Sequence, residues 1–334
     1  MPEILPGIHQ IPVNYNGRRL NLYLLLGANA SILLDTGDAS VPDHAILPYM
    51  KSIGCDPASL RYVIATHPDT DHTGGLLRMR QVAPQALFCS GTADRDQVST
   101  PAKLADDRYR AFYHSDGLGP DDAARAKLLL RLGGPVTIDL TFTGGERIQL
   151  GPVPGSPPHS SDDRTIQILH LPGHSAGHLG IYLPYAGTAL IFDACQWRAN
   201  CFLDGRSAFA PMYLNADAYL NSLKQLSVLN LDRLYSCHWP DCTTPTQVQA
   251  FIATALQYAQ QAERSIADTL QRASKPLTLR EICLAAKPSL GDWPPERDLD
   301  TRFLAVAHLQ RLIDHHQARQ VPTNPGEPRQ FASS

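Results

Sequence analysis

The chain has 334 residues, 43% of them hydrophobic, and a formal net charge of −3 at pH 7. That length and apolar share fit one sizeable α/β core with insertions and an appended piece better than two large domains. The near-neutral balance, with no basic run, argues against nucleic acid or an anionic membrane as a partner, and no apolar stretch approaches the roughly 20 residues needed to cross a bilayer.

The opening MPEILPGIHQIPV has neither a basic start nor a continuous apolar segment, so no secretory leader is expected. The seven cysteines are scattered and form no CxxC pair, which points to reduced thiols and a cytoplasmic protein. Short strands are expected over IHQIPV, NLYLLLGA and SILLDTGD. HAILPYMKSIG has helical spacing, RYVIATH reads as a buried strand, GGLLRMRQVAP as a helix stopped by Pro84, and ALFCSG as another strand. This strand–helix–strand alternation predicts an α/β layered architecture.

Residues from about 92 to 135 break the pattern. DDAARAKLLLRLGG has an apolar helical period and a glycine stop, so a helical insertion is expected: first a packed surface insertion, with a lid or a contact to a second copy in a homodimer as the alternatives. Strands resume in VTIDLTF and ERIQLG, followed by a proline- and serine-rich loop holding His159, then RTIQILHLPGHSAGHLGIYLP and TALIFDAC. This second strand-rich half repeats the layout of the first. The expected division is a core over 1–243, a small helical region over 244–320, and a disordered tail over 321–334, VPTNPGEPRQFASS.

The chemistry concentrates in THPDTDHTGG, which places His67, Asp69, Asp71 and His72 on a strand-to-helix turn, with Gly74 and Gly75 permitting a tight helix start. Mixed imidazole and carboxylate donors suit zinc, iron or manganese. Downstream come LPGHSAGH, FDAC and SCHW.

This ordered set resembles the metallo-β-lactamase superfamily, whose signature turn reads HxHxDH and is followed by a separate histidine, an aspartate and a final histidine. The resemblance runs from about Ile8 to Trp239. It implies a four-layer αββα sandwich and two divalent metal ions, zinc first, with iron or manganese as alternatives. His67, Asp69 and His174 would hold one ion, and Asp71, His72 and His238 the other. Asp193 would touch both, and Asp71 would also help to handle a proton. Asp35, in LLDTGD, would orient the metal-binding turn, and His178 would sit just outside the ligands. The departure is Asp69, where the family carries histidine and its flavodiiron branch glutamate. A third carboxylate makes the ligand set more anionic and retunes or weakens half of the cradle.

The implied reaction is metal-dependent hydrolysis, in which a metal-bridging hydroxide attacks an ester, thioester or lactone of a small-molecule substrate. The alternatives are a non-haem iron oxidoreductase of the same fold and a ligand-binding pseudo-enzyme. Quorum-signal lactonases of this superfamily carry tyrosine three positions after the bridging aspartate, where Gln196 stands here. Flavodiiron proteins need a flavin domain, which the remaining stretch is too short to supply, and the cofactor-binding basic residues of glyoxalase-type thioesterases are not identifiable.

Other candidates have bland readings. His170 is a satisfied strand residue, His159 an exposed loop residue, and His308, His315 and His316 are structural or solvent-facing. Cys237 should turn away from the site by strand alternation, while the direction of Cys195 stays open. Trp197, Trp239, Phe209 and Tyr213 follow metal-bearing segments and either rim the pocket or brace loops.

Overall fold

The computed structural model describes residues 3–155 and 164–334; His159 and its loop lie outside the described residues. The first sheet contains β1 (Glu3–Leu5), β2 (Ile8–Tyr15), β3 (Arg18–Leu25), β4 (Ile32–Leu34), β5 (Tyr62–Ala65), β6 (Leu87–Gly91) and β7 (Leu140–Phe142), in that spatial order. β1 to β4 pair antiparallel, and β4 to β7 pair parallel. The second sheet contains β8 (Arg147–Gln149), β9 (Thr165–His170), β10 (Leu179–Leu183) and β11 (Thr188–Leu190). After a small hairpin of β12 (Asn200–Cys201) and β13 (Ser207–Phe209), β14 (Arg233–Tyr235) completes it in the order β14–β11–β10–β9–β8. Here too antiparallel strands are followed by one parallel pair, β11 with β14. The repeated layout expected of the two halves is therefore a repeated switch from antiparallel to parallel pairing.

The two sheets face each other. Leu20, Leu22 and Leu24 of the first belong to one apolar core with Ile166, Ile168 and Ile181 of the second. Helix Leu76–Val82 contributes Leu76 and Met79 to that core. The outer face of the second sheet presents Leu169, Ala189 and Leu234 to helices Ala216–Val228 and Pro245–Arg272, which answer with Tyr219, Leu223, Val248 and Ile252. Helix, sheet, sheet and helix thus stack as an αββα sandwich. The apolar stripe on the long helix recurs at helical spacing through Val248, Phe251, Ile252, Ala255 and Ala259, and Thr244 caps its first turn by accepting from the Gln247 amide. Among the described residues no helix is long and apolar enough to cross a membrane.

The glycines of the signature turn have a different reason from the one expected. Gly74 and Gly75 have φ of −61° and −84°, open to any residue. What they permit is close approach: a Cβ on Gly75 would lie 2.5 Å from the Thr36 carbonyl oxygen, and one on Gly74 would lie 2.3 Å from that of Arg131. The turn is clamped between the β4 loop and the insertion.

The insertion is helical in short pieces, ending in Asp122–Arg131. Its Leu104–Tyr109 segment is a π-helical turn, a geometry frequent at functional sites. At the other end of the chain, the expectation of a disordered tail is corrected. β16 (Ala318–Val321) and β17 (Gln330–Ser333) pair antiparallel, and β17 also pairs with β15 (Leu277–Thr278). The polar composition of the tail conceals a single anchor: Phe331 is 3% exposed and packs into the C-terminal helical core. Phe331→Ala is expected to destabilise the fold by about 3–5 kcal/mol, read as a lowered denaturant midpoint in chemical unfolding.

Candidate metal centre

Each candidate ligand stands just beyond the end of a strand or in the loop that follows. Asp35 follows β4, His67 to His72 follow β5, His174 follows β9, Asp193 follows β11 and His238 follows β14. These loops converge where the parallel strands of both sheets end, the usual location of sites in such architectures. Strained backbone occurs at one carboxylate and beside another: Asp35 itself has φ of +62°, and Phe192, next to Asp193, has φ of +49°. Non-glycine residues persist there only when their surroundings dictate it. For Asp35 the dictation is visible. Its carboxylate accepts from the Thr66 amide at 2.7 Å, from the Thr66 hydroxyl at 2.8 Å and from His72 Nδ1 at 2.7 Å.

Those bonds set which nitrogen faces inward. His72 gives its Nδ1 proton to Asp35, so Nε2 presents its lone pair to the cluster. His67 Nδ1 lies 3.0 Å from the Thr66 hydroxyl, and His238 Nδ1 lies 2.7 Å from the Arg19 carbonyl oxygen. In each case Nε2 is left pointing in. His67 Nε2 and His72 Nε2 are buried and have no hydrogen-bond partner within the protein, an arrangement that costs free energy unless something binds there.

The donor atoms form two adjoining groups that share Asp193. His72, Asp193, Cys237 and His238 make one, and His67, Asp69, His174 and Asp193 the other, the ligand atoms within each group lying within 4.8 Å of one another; Asp35, His67 and His72 form a further group beside them. His238 Nε2 is 3.4 Å from Asp71 Oδ2 and 3.6 Å from Asp193 Oδ1, and His72 Nε2 is 4.0 Å from Asp71 Oδ1. On the other side, His67 Nε2 is 3.8 Å from Asp69 Oδ2 and 3.9 Å from Asp193 Oδ2. Separations near 3.5 Å are those of donors around an ion bound at about 2.1 Å.

Charge reinforces the picture. Burial opposes a charged His72, but Asp35 outweighs it and, with Asp71 and Asp193, pushes the imidazole up to about 10. Burial likewise opposes ionised Asp193, yet His238, His174 and His72 bring it down to about 2. The cluster therefore calls for positive charge, which a divalent cation at His72 Nε2 would supply with the ring neutral and its lone pair turned inward. His67 differs: burial first, then the neighbouring imidazoles, keep it well below its ordinary value and neutral.

The insertion brings an arginine that no pattern in the sequence singles out. Arg108 is 2% exposed, and its guanidinium takes Asp69 in a two-pronged grip, Nε to Oδ1 and Nη2 to Oδ2, the latter at 3.0 Å. Nη2 also lies 2.9 Å from His174 Nε2, and Nη1 donates to the His174 carbonyl at 3.0 Å. Tyr109 adds a hydroxyl donated to Asp69 Oδ1 at 3.1 Å. Burial raises Asp69, but Arg108 overcomes it and holds the carboxyl well below the usual range. Within LADDRYR nothing separates Arg108 from Arg110, which pairs with exposed Asp122.

Cys237 requires a correction. The alternation expected to turn it away ends with β14 at Tyr235, so Cys237 lies in the following loop and points inward. Its Sγ is 2.6 Å from Asp193 Oδ1, and burial, then Asp193, raise the thiol well above its ordinary value. His178 stacks on His67 at 4.9 Å and its Nε2 accepts from the Asp193 amide at 3.2 Å. Gln196 lies 2.7 Å from His174 Nδ1 and accepts from the Met212 amide, bracing the loop from the position where the lactonases carry tyrosine. Cys195 is buried in the second core. His308 is buried against Tyr213 and Glu263, and His170 is bonded to the Ala176 carbonyl.

The cluster forms the floor of a cleft of about 510 Å³. Of the four aromatic candidates only Phe209 lines it; Trp239 and Tyr213 are core residues and Trp197 packs beside them. The walls carry Arg18, Lys127, Arg131 and Arg297, together with Phe202 and Phe303. Arg18 lies over the Phe209 ring at 4.9 Å and Arg297 at 5.6 Å.

A family model for the metallo-beta-lactamase superfamily matches residues 16–238. The acyl-coenzyme A thioesterase MBLAC2 of Bos taurus is 28% identical over 179 residues, covering 50% of this chain and 55% of the relative. The flavo-diiron protein FprA2 of Clostridium acetobutylicum is 37% identical over 79 residues, 24% of this chain and 19% of the relative. The chain thus spans about half the length of the thioesterase it matches, and less of the flavo-diiron protein. Among solved structures, a metallo-beta-lactamase family protein of Thermus thermophilus superposes with a TM-score of 0.74 at 19% identity, covering 99% of this chain and 100% of that one. A beta-lactamase domain protein of Burkholderia ambifaria gives 0.72 at 16% identity, covering 100% and 93%. With a family match across most of its length and the sandwich to go with it, the chain belongs to the metallo-beta-lactamase superfamily.

Proposed function

We propose that the protein is a metal-dependent hydrolase of esters, with acyl thioesters as the favoured class. The observation that carries this reading is the pair of buried, unpartnered imidazole lone pairs on His67 and His72, facing carboxylates at the floor of an open cleft. Asp71, His72, Asp193 and His238 would hold a divalent ion, with zinc, iron and manganese all compatible with such donors. That ion supplies Lewis acidity toward a carbonyl oxygen and acidifies water.

The protein's own residues do the rest. Asp35 fixes the His72 ring, and the Arg19 carbonyl fixes that of His238. The side chain of Asp71 is 14% exposed, more open to the cleft than those of Asp69 or Asp193 at 8% and 7%, and this suits it to accept and pass on a proton. The thioester preference rests on the cleft wall: Arg18, Lys127, Arg131 and Arg297 would meet the phosphates of a nucleotide-bearing carrier, and the phenyl rings would meet its apolar parts. The partial similarity to an acyl-coenzyme A thioesterase supports the same class.

A second reading, a non-haem iron oxidoreductase, draws on the carboxylate-rich cluster and the short similarity to a flavo-diiron protein. Oxygen uptake by iron-loaded protein in the presence of a reductant would favour it, and a zinc-loaded hydrolase inert to oxygen would remove it.

Purified protein supplied with zinc, manganese or iron should turn over at least one member of a panel of acyl-coenzyme A thioesters, aryl esters and lactones. His72→Ala and Asp193→Ala should bring that rate to background, and no metal-dependent turnover across the panel would defeat the reading. Asp35→Ala should weaken metal affinity by roughly 10–100-fold, as loss of a ligand-orienting carboxylate does. Competition with a chromogenic chelator measures that affinity directly.

A further inference from the structure

The two halves of the cluster are not equivalent. Around Asp71, His72, Asp193 and His238 the inward Nε2 atoms are directed at carboxylates, and among the described residues no protein cation intrudes. Around His67, Asp69 and His174 a protein cation is already present. Arg108 Nη2 stands 3.0 Å from Asp69 Oδ2 and 2.9 Å from His174 Nε2, so its two hydrogens reach two of the donor atoms a metal ion would need.

His174 is engaged at both ring nitrogens. Its Nδ1 faces both the Met212 carbonyl oxygen and the Gln196 amide nitrogen, while Nε2 lies 2.9 Å from Asp69 Oδ2 and 2.9 Å from Arg108 Nη2, so in either tautomer Nε2 already has a protein partner within hydrogen-bond reach. A metal ion at Nε2 would have to displace Arg108 or Asp69 from that nitrogen. Asp69 offers more lone pairs, but its two oxygens already share the guanidinium and the Tyr109 hydroxyl. A divalent ion among these atoms would also sit within a few ångströms of the guanidinium in a nearly dry site, where repulsion is poorly screened.

We propose that Arg108 closes the first half of the cluster to a second cation, so that the chain holds one ion, between Asp71, His72, Asp193 and His238. The proposal rests on the metallohydrolase reading and refines it: a guanidinium supplied by the insertion stands in for the charge of the other ion. It also explains the aspartate at position 69. Histidine there would leave Arg108 buried beside imidazoles without its counter-charge, a strongly destabilising arrangement. Asp69 and Arg108 form a unit, and Tyr109 accepts from the Thr70 amide at 3.1 Å to lock that unit onto the signature turn.

The test is metal stoichiometry with location. Wild-type protein is saturated with zinc and freed of loose metal, then measured by elemental analysis and by anomalous diffraction at the zinc edge. One ion per chain, lying between Asp71, His72, Asp193 and His238, is expected. Two ions per chain, or one ion lying between His67, Asp69 and His174, would overturn the inference while leaving the metallohydrolase reading intact. No ion in either half at saturation would defeat both. Arg108→Ala should bind a second zinc in the vacated half, raising the count from one to two, and a count that stays at one would refute the role given to Arg108. The wild-type diffraction measurement stands even if that variant fails to fold.

Discussion

Four carboxylates, those of Asp35, Asp69, Asp71 and Asp193, gather around one set of imidazoles, three of them buried and Asp71 partly open to the cleft. Uncompensated, that much buried negative charge would unfold the loops that carry it. The structure compensates each one differently. Asp35 commits its lone pairs to Thr66 and His72, Asp69 is matched by the Arg108 guanidinium, and Asp71 and Asp193 face imidazole lone pairs that need a cation. The rest of the site follows from this distribution of charge. Ring orientations, tautomers and the strained backbone at Asp35 and Phe192 are the means by which the fold keeps the groups in register.

Much of this is legible along the chain because the superfamily's ligands sit at strand ends. An apolar strand followed by a polar turn announces itself locally, and so Asp35, His67 to His72, His174, Asp193 and His238 can be named in order. The αββα layering is legible for the same reason, through the strand–helix alternation. What escapes a reading of the sequence depends on meetings between distant segments. Arg108 lies in a stretch with no period of its own, and only its approach to a residue 39 positions away distinguishes it from its neighbours. Strand alternation misplaces Cys237 because the strand stops two residues short of it. Composition misplaces the tail because a single buried phenyl ring outweighs its many polar neighbours, and averaging hides that.

The insertion changes meaning in this light. A surface excursion of about forty residues is tolerated by many folds because long loops cost little entropy. Here it delivers Arg108 and Tyr109 to the floor of the cleft and Lys127 and Arg131 to its wall. The loops of the core sheets supply the imidazoles and acids, and the insertion adds its cations to those of Arg18 and Arg297. Its Arg131 carbonyl also receives the Ala39 amide at 2.9 Å, next to the close approach that only glycine at position 74 allows.

The loop bearing His238 is tied back to the beginning of the chain. Its ring reaches the Arg19 carbonyl across 219 residues of sequence, and the Tyr23 hydroxyl reaches Ser236 across 213. Contacts of such separation form late, after their closure entropy has been offset by other structure. During synthesis the acidic turn at Asp69 to Asp71 therefore emerges long before its last imidazole partner exists. The nascent chain passes through a stage in which the sandwich is half built and the cradle has one side missing, so the capacity to grip an ion appears only once the second sheet has closed.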